Sequence, residues 1–144
     1  MVSTASTTPV SQIIKPGQSA VPLVKFNAIP NCDGILSSFA VSLLPMPNGY
    51  QNISALRLYD DVSGMLLGAI QSVTSAGMNF SLANIPLTAN QPLVLMVVGD
   101  VSSLASGSVY GGFGGSYGVT GSGELIGNNA SGNLISGNTM TVVR

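Results

Sequence analysis

Ile35-Leu36-Ser37-Ser38-Phe39-Ala40-Val41-Ser42-Leu43 decides the fold of this chain. Ile35, Ser37, Phe39, Val41 and Leu43 fall on one face of an extended segment, with Ser38 and Ser42 on the other. That is the period-two pattern of a strand with one buried side. Met78, Phe80 and Leu82 against Asn79 and Ser81 repeat it. Leu93-Val94-Leu95-Met96-Val97-Val98 is apolar on both faces, as a strand in the middle of a sheet requires. Left at an edge, it would template aggregation.

Working outward, these runs are separated by turn formers: Pro16-Gly17, Pro30-Asn31, Asp33-Gly34, Pro45 to Gly49, Ser63-Gly64, Ala76-Gly77 and Ala89-Asn90. Further strands are expected at 11–15, 20–28, 52–59, 65–70, 107–113, 117–126 and 138–143. No amphipathic helix competes. About nine or ten short strands predict an all-β, immunoglobulin-like antiparallel β-sandwich, with Phe39 and Phe80 between its sheets. Residues 1–12, Ser- and Thr-rich as far as Pro9, read as a flexible leader or linker strand, and 13–144 as the sandwich domain. Gly111-Gly112-Phe113-Gly114-Gly115-Ser116-Tyr117-Gly118 opens a Gly-, Asn- and Ser-rich stretch. Glycine at this density either frees a hairpin tip or lets backbones approach closely. A hairpin with a floppy tip is the expectation here, and the sharper alternative is a ligand platform built from Tyr110, Phe113 and Tyr117.

At 144 residues the chain has the size of one domain that needs no disulfide or metal to bury a core. Four Lys or Arg, five Asp or Glu and 45% hydrophobic residues exclude disorder. A net charge of −1 without a basic cluster excludes a nucleic-acid partner. Mean hydropathy is positive, yet no apolar run approaches the roughly 18 residues of a membrane span. A neutral polar surface suits a secreted module better than a cytosolic protein kept soluble by charge. The first fourteen residues contain no Lys or Arg and no apolar core, so they do not read as a signal peptide, and any export signal is expected upstream. Cys32 is the single cysteine, which leaves a buried small hydrophobe or turn residue as its expected role.

The catalytic inventory is thin. The chain has no histidine, which removes Ser-His-Asp, Cys-His and His-metal arrangements. Lys15 and Lys25 follow no phosphate loop, and Tyr117 stands where a dinucleotide fingerprint begun by Gly112 and Gly114 needs glycine. Of the carboxylates Asp33, Asp60, Asp61, Asp100 and Glu124, the adjacent pair Asp60-Asp61 reads as a turn before Ser63-Gly64, with a weak Ca²⁺ site as the alternative. Asn52, Asn79 and Asn129 head N-glycosylation triplets. Lys25 lies in an early strand, where it either snorkels to solvent or supplies the amine of an internal isopeptide crosslink. No catalytic residue and no cofactor is expected.

Three segments carry a resemblance. Ile14-Lys15-Pro16-Gly17 followed by Val21-Pro22-Leu23-Val24-Lys25-Phe26, then Ile53 to Asp60 with Leu67-Gly68, and Leu93 to Val101 ending in Gly99-Asp100-Val101 are the first set. Together with the closing Gly137 to Val143, they resemble the immunoglobulin-like repeat domain of surface and cell-wall proteins, S-layer-like, of uncultured small-genome bacteria and some archaea. The resemblance implies a non-enzymatic, extracellular structural module of a surface layer, stalk or filament. Its partners would be neighbouring copies or adjacent domains. A glycan- or protein-binding adhesion module is the alternative, and a viral coat or fibre protein the third reading.

Overall fold

The computed structural model describes residues 2–45, 47–120 and 135–143. Ten strands and one 3-10 turn are present among them: β1 Val2–Thr4, β2 Gln12–Ile14, β3 Val21–Ala28, β4 Gly34–Leu44, the turn Gly49–Asn52, β5 Ile53–Asp60, β6 Leu66–Ile70, β7 Gly77–Leu87, β8 Leu93–Val101, β9 Gly107–Thr120 and β10 Met140–Val142. They form two five-stranded sheets, β1-β3-β8-β5-β6 and β2-β10-β9-β4-β7, packed as an all-β, immunoglobulin-like sandwich. Every pair is antiparallel except β2 and β10, which run parallel.

The apolar run 93–98 is the centre of the first sheet, as its two-sided hydrophobicity requires: β8 lies between β3 and β5. Leu95, Val97 and Val101 point into the core, while Val98 on the opposite face is also buried. The two sheets meet through aromatic rings. Phe26 of β3 lies 5.5 Å from Phe39 of β4 and 6.3 Å from Phe113 of β9, and the last two are 5.2 Å apart. Tilted contacts of this kind add to the burial energy of the rings. Phe80 is fully buried beside them, as expected.

In β4 the alternation holds at Phe39, Val41 and Leu43 but reverses before Ser38. Leu36 is 0% exposed and Ile35 is 40% exposed. The ladders to both neighbours break between Leu36 and Ser38, leaving Ser37 outside both registers with its Oγ donating to the Gly118 carbonyl at 3.3 Å. A bulge adds one residue to the strand and so exchanges its faces. Leu36 and Phe39, three apart, therefore both point inward.

Gly111 to Gly118 lie within β9, while residues 121–134 of the Gly-, Asn- and Ser-rich stretch, on which the expected hairpin tip falls, lie outside the described residues. β9 runs continuously to Thr120, paired to β4 on one side and, at its start, to β10 on the other. The glycines serve close approach. A Cβ at Gly111 would stand 2.8 Å from Val24 Cγ1 of the opposite sheet, and one at Gly114 would stand 2.8 Å from Ala40 Cβ. The expected strand 117–126 lies outside the described residues beyond Thr120.

Residues 2–5, within the segment read as a leader or linker strand, are paired into the first sheet. β1 pairs with the end of β3, Val2 is 0% exposed in the core, and Ala5 N–H donates to the Lys25 carbonyl at 2.9 Å. The segment then crosses to the other sheet, held where Thr8 Oγ1 accepts from Lys25 N–H and Pro9 O accepts from Asn138 Nδ2. A three-residue edge strand was invisible to periodicity, because one buried valine makes no period.

Candidate functional site

The registers define two ends of the sandwich. Val2 is level with Ala28, which pairs with Leu93, so the chain enters beside the 29–33, 60–65 and 88–92 loops. Val142 is level with Gly107 and Ile14, and Val143 N–H donates to the Ile14 carbonyl, so the last strand leaves beside the 15–20 and 102–106 loops. Gly17 N–H donating to Ser102 O joins those two loops. Entry and exit are thus at opposite ends, separated by the nine residues of β8, about 30 Å at strand rise.

Among the described residues, most charged side chains are engaged in the fold rather than gathered in a site. Across the outer face of the first sheet, Arg57 Nη2 and Nη1 grip Asp100 Oδ1 and Oδ2 at 2.9 and 3.1 Å. Asp100 Oδ1 also accepts from Ala20 N–H at 2.9 Å. The Arg57 hydrogen bonds, then the Ala20 amide, hold the Asp100 carboxyl below its usual range, and the same pair raises Arg57. Lys25 on β3 reaches over β8 to Asp61 at 3.1 Å, which answers the question of its amine: it is one half of an ion pair.

Asp60 and Asp61 do not act together. Asp60 Oδ1 accepts from Val62 N–H at 3.0 Å and so makes the turn, while Asp61 is engaged by Lys25. Among the described residues no group of three or more acidic, Cys or His side chains is placed to hold a metal ion. Asp33 Oδ1 accepts from Ala89 N–H at 2.8 Å, tying two loops of the entry end.

Tyr110, Phe113 and Tyr117 do not share one exposed face. Phe113 is 6% exposed, in the core, with Tyr117 stacked on it at 6.4 Å. Tyr110 lies three residues from Phe113 on a regular stretch of strand, so it points to the opposite side of the sheet. Of the glycosylation triplets, Asn52 is 7% exposed. Its Nδ2 donates to Ser108 O and its Oδ1 accepts from Ser106 N–H, so no free amide is offered to a glycan. Asn79 is exposed on β7, and Asn129 and Glu124 lie outside the described residues.

An open cleft of about 400 Å³ lies at the exit end, lined by Pro45, Pro47, Asn48, Gln51, Asn52 and Ser106 among others. Among the described residues it is lined by no charged side chain, so what they offer is neutral hydrogen bonding. Sequence reasoning missed it because its walls come from β4's end, the 3-10 turn and the loop before β9, none of which carries a motif. Among the described residues no helix is long and apolar enough to cross a membrane. No protein-family model matches the chain, and no curated protein matches it in sequence.

Proposed function

We propose that the chain is a non-catalytic structural module of an extracellular surface protein, one unit of a surface layer, stalk or filament of the kind its sequence resembles. The observation that carries this reading is the path of the chain. It enters at one end of the sandwich and leaves at the other, so units joined in series extend in a line. Its strands β2 and β10 are parallel neighbours, with Gln12 opposite Met140 and Ile14 opposite Val142. Tension applied through the two ends therefore pulls these strands past one another and loads their hydrogen bonds together rather than one at a time. The Lys25–Asp61 and Arg57–Asp100 pairs tie β3, β8 and β5 across the first sheet in the same body.

The test is single-molecule stretching of the chain held by its two ends. One cooperative unfolding event is expected, at a force that falls in Gln12→Pro, because Gln12, like Ile14 whose carbonyl accepts from Val143 N–H, turns its N–H toward β10 and proline cannot donate to the ladder. Extension without a force peak refutes the load-bearing role. The neutral cleft favours a second reading, a module that binds an uncharged polar ligand such as a glycan. A glycan-array screen decides it: a strong hit lost in Gln51→Ala replaces the structural reading, and a blank array with a force peak supports it.

A further inference from the structure

Among the described residues the exposed large apolar side chains, Val10 apart, lie toward the two ends. At the entry end the β5–β6 turn presents Val62, 84% exposed, with Met65 and Leu66, and Ile35 opens β4 at the same end. At the exit end Leu104 is 81% exposed, with Val143 beside β2 and Ile13 one residue before Ile14. Clustered exposed apolar groups of this sort mark contact surfaces.

The charges divide in the same way. Lys25 and Arg57 are neutralised by Asp61 and Asp100 on the flank. Among the described residues this leaves Lys15 at the exit end, and Asp33 and Asp60 at the entry end, in no ion pair. One end is apolar with a cation, and the other is apolar with two carboxylates.

We infer that the exit end of one copy seats on the entry end of the next. Leu104 and Val143 would face Val62, Met65 and Leu66, with Lys15 toward Asp33 and Asp60. Opposite charge on two different surfaces specifies a heterologous contact, which propagates instead of closing as a two-fold dimer. The entry and exit of the chain at these same ends makes the contact available to units in series. There a short linker supplies an effective concentration of about a millimolar, so a weak contact suffices. This inference rests on the structural-module reading.

Sedimentation of the 144-residue chain up to about a millimolar is expected to show open-ended association that weakens with salt. Leu104→Asp and Leu66→Asp, checked for unchanged circular dichroism and melting, should each weaken self-association about tenfold or more. Mixed together they should form a one-to-one dimer and stop, because each retains the surface the other has lost. Lys15→Glu should weaken association, and Lys15→Glu mixed with Asp60→Lys should recover it. Association of either Asp variant alone at the parent strength, or a mixture that remains monomeric, refutes the contact. So does a parent chain monomeric throughout the range; with a force peak on stretching and a blank glycan array, that result removes this contact and leaves the module reading standing.

Discussion

Replacing Leu36 and Ile35 separately by alanine tests the bulge on which the packing of β4 depends. Leu36 is fully buried, and the mutation removes its branched end from between two sheets whose other side chains close the gap only in part. The expected cost is about 3–4 kcal/mol. Ile35 is 40% exposed and loses some strand preference and a partial contact, which costs about 1 kcal/mol. For a chain of 144 residues the entropy of unfolding is about 0.3 kcal/mol/K, so Leu36→Ala should lower Tm by about 10–13 °C and Ile35→Ala by about 3 °C. Urea unfolding followed by circular dichroism measures both, with a shared m-value showing that the unfolded states are comparable. Unbroken alternation through Ser37 would give the reverse order. Ile35→Ala costing as much as Leu36→Ala would falsify the bulge.

Gly111→Val should cost about 1–3 kcal/mol because its Cβ meets Val24 across the core, while Gly77→Ala, with open space at its Cβ, should stay within about 0.5 kcal/mol; equal effects in thermal melts would show that the sheets do not close at Gly111. The folded Asp100 carboxyl is depressed relative to the unfolded chain, so its contribution is present above the unfolded pKa and is lost as pH falls through the folded one. The Tm advantage over Asp100→Asn should therefore hold at neutral pH and shrink below about pH 4, and a pH-independent difference would refute the ion pair as its source. Removing residues 1–5 should cost about 2–3 kcal/mol, chiefly the buried Val2 side chain; an unchanged denaturation midpoint would restore the segment to a leader.

What the sequence determined by itself was whatever depends on neighbours along the chain. Turn chemistry and period two are local, so the all-β class, the central position of 93–98, the burial of Phe39 and Phe80 and the turn at Asp60 were all legible in it. The composition likewise bounded the chemistry, since a chain without histidine and with five carboxylates offers few catalytic arrangements. The tertiary structure decided whatever depends on what arrives from elsewhere. Ile35 faces outward because two ladders slip at Ser37, and a slip belongs to a pair of strands rather than to one. The glycines of β9 are there because Val24 and Ala40 approach them, and a floppy tip would have used the same residues. Val2 is a core residue only because β3 offers it an edge. Lys25 and Asp61 meet over an intervening strand, as do the loops that gather Leu104, Val143 and Lys15 at one end of the sandwich and Val62, Leu66 and Asp33 at the other. No local pattern encodes such meetings, because the register of the sheets sets which distant residues share an end.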